Sequence, residues 1–279
     1  MEKFKMLRHL EEESEATINR DGDINTKEID LLINFYIPSI INEVRSERYD
    51  RIVVISSDRQ RSKQTAAILK NEITKHISIP IDQETDPRTS AENHGEYKEG
   101  IDEDNPLVKK AKFIYLRETF EKKNIWYRYG ASTNDFDEET YPELTEIFDS
   151  PGENQIELNI RIYRFILDLL SRIKKNPETL FVLSTHYIVM SRILSLQHIA
   201  GENDSFLSLF YQPQGELYKH ENEVTEKMIG GWGNFYDFFT TKNFVFDVDI
   251  SKLESIQDVI QSDLDILIAK YMQHYGKEI

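Results

Sequence analysis

Residues 51–66, RIVVISSDRQRSKQTA, run from an apolar strand through a polar turn into a helix. Arg51 to Ser56 carries an unbroken Ile-Val-Val-Ile core. A strand that is apolar at consecutive positions is buried on both faces, as in a parallel sheet covered by helices. The helix that follows, from about Arg61 to Lys75, has Ala66, Ala67, Ile68, Leu69 and Ile73 as its apolar residues. The same unit recurs on either side. Phe4 to Arg8 reads as a short first strand. After it come the acidic residues Glu11, Glu12, Glu13 and Glu15, a solvated face, and the turn Asp21-Gly22-Asp23. Asn25 or Thr26 can cap a helix through Ile29, Leu32, Ile33 and Tyr36 to Val44, which Pro38 is expected to kink.

Downstream, Ile77 to Ile81 is predicted as a third short strand, with Pro80 placing it at a sheet edge. Pro151-Gly152 opens a helix from about Asn154 to Lys175. Thr179 to Ser184 is another buried strand, and Ile188 to His198 another helix. This alternation predicts an α/β fold: a three-layer α/β/α domain with a mostly parallel central sheet and right-handed crossovers. Residues 1–200 form that domain. Residues 86–150, polar and aromatic with turn signals at Asn93 to Gly95 and Tyr129 to Ser132, are read as an irregular insertion over the site. Residues 201–279 are read as a C-terminal extension packed on the same domain. It holds Gly230-Gly231-Trp232-Gly233, the aromatic run Phe235 to Phe239, a strand from Phe244 to Val248 and a last helix from Ser251 to Tyr275.

Composition narrows the chemistry. With 279 residues, 39% of them hydrophobic, the chain can bury a substantial core. It has no cysteine, which excludes disulfides, thiolate zinc sites and cysteine nucleophiles. A net charge of −16 argues against nucleic acid as a partner, so a phosphate site must be a local island of positive charge. No secretory signal is visible and the apolar runs are too short to span a bilayer. A soluble cytoplasmic protein without a membrane partner is the expectation.

Three strand ends carry suggestive residues: Arg8-His9, then Ser56-Ser57-Asp58 leading to Arg61, then Ser184-Thr185-His186. Parallel sheets bind ligands outside the carboxyl ends of their strands. If these strands are neighbours, two arginines and two histidines meet on one rim. Arginine forks match phosphoryl oxygens, and a histidine there can attack phosphorus or donate a hydrogen bond. Singly, each has a plainer reading: His9 an exposed strand end, Arg61 a solvated helix start, His186 a satisfied core residue, His94 a loop residue. Only their combination points to chemistry.

Taken together, these residues resemble the histidine phosphatase superfamily, the phosphoglycerate mutase-like proteins. Leu7-Arg8-His9-Leu10-Glu11 is similar to its Arg-His-Gly opening, and Ser57 to Ala66 to its Ser-Pro-Leu-x-Arg-Ala-x-Gln-Thr-Ala motif. Leu183-Ser184-Thr185-His186 is similar to its late Val-Ser-His-Gly, Glu92 to Gly100 to its Glu before a glycine turn, and Pro151-Gly152-Glu153 with Arg161 to a further shared segment. The likeness covers roughly residues 3–200, with the motifs in order. It implies that His9 is the nucleophile, that Arg8, Arg61 and His186 bind the phosphoryl oxygens, and that Glu92 is the general acid, with Glu96 and Glu99 as rivals. It also implies that neither a metal nor another cofactor is needed. The implied activity is hydrolysis of a small-molecule or protein phosphate monoester through a phosphohistidine. The alternatives are a phosphomutase or a non-catalytic phosphate-binding or scaffolding member. Two departures stand out. Leu10 and Tyr187 replace family glycines, and Leu10 would either narrow the pocket or twist the first loop.

Overall fold

The computed structural model describes residues 3–10, 24, 26–47, 49–102, 104–130, 141–201, 217, 219 and 245–279. Its main sheet has five strands: β1 (Lys3–Arg8), β2 (Arg51–Ser56), β3 (Ile81–Thr85), β6 (Thr179–Thr185) and β7 (Val245–Asp249). Their spatial order is β3-β2-β6-β1-β7. The first four run parallel, and β7 pairs antiparallel with β1. The expected mostly parallel α/β sheet is therefore present, with one antiparallel edge. β4 (Glu96–Tyr97) and β5 (Phe148–Ser150) form a separate two-stranded ribbon.

Side chains alternate between two apolar clusters. Phe4, Met6, Val53, Ile55, Phe181 and Leu183 face helices α5 (Gln155–Lys175), α6 (Tyr187–Gly201), α7 (Ile250–Ser255) and α8 (Gln257–Tyr275). Leu7, Ile52, Val54, Leu180 and Val182 face α2 (Ile37–Glu47) and α3 (Gln60–Thr74). This two-sided burial is why the central strands read as continuous apolar runs. Lys5 is the exception. It is buried on the α2 side, where Asp247 at 2.7 Å and Glu43 at 3.7 Å compensate its charge. α5 is opened by a full capping box, the Asn154 side chain accepting from Glu157 N and the Glu157 carboxylate from Asn154 N.

Several elements depart from expectation. The third strand is Ile81–Thr85, not Ile77 to Ile81. Pro80 cannot donate to a ladder, and pairing with β2 starts after it, Ile52 opposite Ile81. Residues 82–85 are polar because an edge strand faces water, which hides them from an apolar pattern. The first helix is not continuous. α1 (Thr26–Leu31) passes into a π-turn at Leu32–Tyr36 before α2. Pro38, near the start of α2, lacks an N–H and crowds the carbonyl four residues back, and the wide turn absorbs the mismatch. The last helix is broken at Ile256, which is itself buried together with Ile250, Leu253 and Ile260.

Residues 86–150 are also more regular than expected. α4 (Pro106–Leu116) is capped by the Asn105 side chain accepting from Leu107 N. Val108, Ala111, Ile114 and Tyr115 bury against Tyr127, Tyr129, Leu144, Ile147 and Phe148 to form a small third core. The described part of the C-terminal segment supplies the edge strand β7, and α8 packs along α5. The Glu11–Glu15 run, Asp21–Asp23, Asn25, Ala131-Ser132, the Gly230–Gly233 turn, the Phe235–Phe239 run and Phe244 lie outside the described residues. No helix among the described residues is long and apolar enough to cross a membrane.

Candidate active site

β6 lies between β2 and β1, so the strand ends singled out above are immediate neighbours on the carboxyl edge of the sheet. His9 continues the β1–β6 ladder by donating its N–H to the Thr185 carbonyl at 3.0 Å. His186 follows one residue later on the adjacent strand. The two rings are buried and in contact, with centroids 4.5 Å apart at 57°.

His9 Nδ1 lies 2.7 Å from the Leu10 carbonyl oxygen. A carbonyl only accepts, so Nδ1 carries the proton and Nε2 keeps its lone pair. Burial holds this imidazole well below its ordinary pKa, and the Arg61 and Arg8 guanidiniums push it the same way. His186 behaves alike: burial lowers it first, then His9, Arg61, Arg59 and Arg8. Its Nε2 shares a 2.9 Å hydrogen bond with Ser57 Oγ. Two neutral imidazoles thus sit in the field of three arginines. In a chain of net charge −16, the three guanidiniums make a local positive island.

Serine and threonine hydroxyls lock this rim. Ser62 Oγ donates to the Ser184 carbonyl at 2.7 Å and accepts from Ser57 N at 3.0 Å, pinning the start of α3 to β6. Thr65 Oγ1 accepts from Leu10 N at 3.0 Å and donates to the Arg61 carbonyl at 2.7 Å. Gln64 Oε1 accepts from Ile24 N at 3.1 Å. Gln64 and Thr65 therefore hold the segment that follows His9, while Ala66 packs beneath the sheet. The N-terminus of α3 points its dipole to the same edge, and its N-cap, Arg59, makes no side-chain cap bond.

Leu10 lies 3% exposed in the apolar cluster with Leu7, Leu32, Tyr36 and Val54. With the two imidazoles in contact, no side chain fits between them. The Leu10 side chain therefore fills core. Tyr187 is partly exposed at the start of α6.

Glu92 is buried, not solvated. The segment before it is tied to the same rim: Thr185 Oγ1 donates to the Thr89 carbonyl at 2.5 Å, and Ser90 Oγ pairs with Asp58. Arg161 holds it from below through the carbonyls of Arg88 (2.8 Å), Ser90 (3.1 Å) and Ala91 (3.4 Å), and also pairs with Glu153 at 2.5 Å. Gly95 closes it from above. At φ +82° a β-carbon there would meet the Ser150 carbonyl at 2.5 Å and Gly152 N at 2.8 Å. Tyr115 and Gln155 hydrogen-bond to the Glu92 carboxyl. Burial raises its pKa, only partly opposed by the Tyr115 hydrogen bond and by Arg192 and Arg161. Glu96 and Glu99, by contrast, are exposed on the ribbon and its turn. His94 packs edge-on against Tyr129 at 4.7 Å, and burial lowers it to about 4.

Nothing in the sequence alone assigns a role to Ser57, Arg59, Tyr115, Gln155 or Arg192. Arg59 and Ser57 were within reach, since they share the strand end with Arg61. Tyr115 and Gln155 look like ordinary residues of amphipathic helices, and only the fold brings them to Glu92. No protein-family model matches the chain, and no curated protein matches it.

Proposed function

We propose that this chain is a phosphatase of the histidine phosphatase fold that hydrolyses a phosphate monoester through a phosphohistidine on His9. The observation that carries the reading is the contact pair of buried neutral imidazoles, His9 and His186, in the field of Arg8, Arg59 and Arg61. It gives a nitrogen lone pair beside an anion site, the combination that in-line attack on phosphorus demands.

In the first step the ester dianion binds the arginine forks, and His9 Nε2 attacks phosphorus. The P–N bond forms as the P–O bond to the alcohol breaks. Glu92 gives its proton to the leaving oxygen, and the ring becomes a phosphoimidazolium with Nδ1–H still bonded to the Leu10 carbonyl. His186 donates to a phosphoryl oxygen, with Ser57 fixing its ring. In the second step water attacks phosphorus, Glu92 takes the water proton, and the P–N bond electrons return to Nε2. Inorganic phosphate leaves and the starting protonation state is restored. Acid–base help of this kind contributes about 10²- to 10⁴-fold. A buried carboxyl with a raised pKa suits the acid role. Water, not a second substrate hydroxyl, is the acceptor, because the resemblance is confined to the motifs all members share.

The test is a chromogenic aryl phosphate assayed beside a His9→Ala control, with trapping of acid-labile phosphoenzyme. Wild type should turn over and label, and the variant should lose on the order of 10³-fold or more. If both are equally inactive from mildly acidic to mildly basic pH and no label forms, the chain is a phosphate-binding scaffold and the reading is wrong.

A further inference from the structure

Among the described residues, the two hydrogen bonds to the Glu92 carboxyl end on the same oxygen. Tyr115 Oη and Gln155 Nε2 (3.1 Å) meet Oε1. We propose that Tyr115 and Gln155, the latter oriented by Arg192, are positioning residues that confine the acidic proton of Glu92 to Oε2. This rests on Glu92 being the general acid.

The orientation follows from donor counting. The two ends of an amide look alike, but a guanidinium has only N–H donors. Arg192 Nη2 lies 3.3 Å from Gln155 Oε1, so that end is the carbonyl and the NH₂ faces Glu92. The same NH₂ is 3.5 Å from Tyr115 Oη. The tyrosine oxygen accepts from Gln155 and donates its own hydrogen to Glu92 Oε1. When Glu92 carries its proton, the oxygen already occupied by two donors serves as the carbonyl oxygen, and the O–H belongs to Oε2. All four side chains are buried, at 9% exposure or less, so water does not compete for these bonds.

The arrangement draws on four separate parts of the chain. Glu92 is on the loop after β3, Tyr115 on α4 of the insertion, Gln155 at the start of α5, and Arg192 in α6, the helix that begins next to His186. When the Oε2–H bond breaks toward the leaving oxygen, its electron pair stays on the carboxylate. The two donors on Oε1 then strengthen against the new charge without moving. The insertion thereby contributes to the proton transfer without touching substrate.

The proton's location is read by difference infrared spectroscopy of the full chain against Glu92→Gln, at mildly acidic pH. The carboxyl C=O band of Glu92 should lie low in wild type, because its oxygen accepts two hydrogen bonds. It should move to higher frequency in Tyr115→Phe and again when Gln155→Met is added. An unmoved band places the proton on Oε1 and overturns the proposal. Should Tyr115→Phe lose its native circular dichroism, Gln155→Met alone removes the other donor and must give the same shift. Turnover supplies a second readout: kcat for an alkyl phosphate, which needs the acid, should fall about tenfold more than for a nitrophenyl phosphate. Equal losses on both esters would also overturn it. A chain inactive on every ester, with the band shifts intact, would sink the phosphatase reading instead.

Discussion

Arg161→Met tests how the acid-bearing segment is held. In the native chain the guanidinium spans from the Glu153 carboxylate, at 2.5 and 3.2 Å, to three backbone carbonyls just before Glu92. Its side chain is 19% exposed and that of Glu153 12%, so the pair is largely desolvated. Removing one member of such a pair costs about 3–5 kcal/mol, because the other charge is left buried without compensation. The carbonyls add to this as lost acceptor partners. Residual exposure and protonation of Glu153 work against it, and about 3 kcal/mol is the expected loss at neutral pH.

The pH dependence identifies the cause. Burial already raises Glu153 above its ordinary 4.5, with Arg161 the largest opposing influence. Without Arg161 it rises further. A carboxyl with a raised folded pKa adds stability that is full below its unfolded pKa and lost as pH rises through the folded one. The deficit of Arg161→Met should therefore be small near pH 4.5 and grow to a plateau above neutrality. Denaturant unfolding across that range measures it, with Glu153→Gln completing a double-mutant cycle. A deficit under about 1 kcal/mol, or one that does not change with pH, would refute the buried-pair reasoning.

Four further outcomes follow from the same geometry. His9 and His186 stay neutral well below 6.5, so the unfolded chain binds protons there that the folded chain refuses, and stability should decline as pH falls below 6.5 in phosphate-free buffer. Vanadate or phosphate offsets the arginine field, so its binding should take up protons at mildly acidic pH; calorimetry in buffers of different ionisation heat that finds no uptake contradicts the site. Gly95→Ala puts a β-carbon 2.5 Å from a backbone oxygen at φ +82°, and should cost at least about 1–2 kcal/mol of stability and displace Glu92, seen as a fall in kcat. Leu10→Ala should cost about 2–5 kcal/mol as a core truncation without raising turnover, and a gain in turnover would mean that leucine obstructs the site after all.

Much of this was legible in one dimension. Runs such as Ile52–Ile55 and Leu180–Leu183 announce a doubly covered sheet because both faces of each strand are buried. The Asn154 cap and the buried stripe of α5 follow from local chemistry of a few residues. α4 is poorly marked in the sequence although Asn105-Pro106 is a sound helix start, because its apolar residues serve a small separate core set among polar loops. β3 lies beyond its expected place because an edge strand carries polar residues, which leave no apolar periodicity in the sequence.

By itself the sequence determined that Arg8-His9, Ser57 to Arg61 and His186 stand at strand ends, since strand, turn and helix signals are local. Only the tertiary structure decided that β6 inserts between β2 and β1 and brings those ends together. It alone separated buried Glu92 from exposed Glu96 and Glu99, and sent Leu10 into the core. It alone set Tyr115 and Gln155 on one oxygen of Glu92. Burial and hydrogen-bond direction depend on residues far apart in the chain, and no spacing along the sequence encodes them.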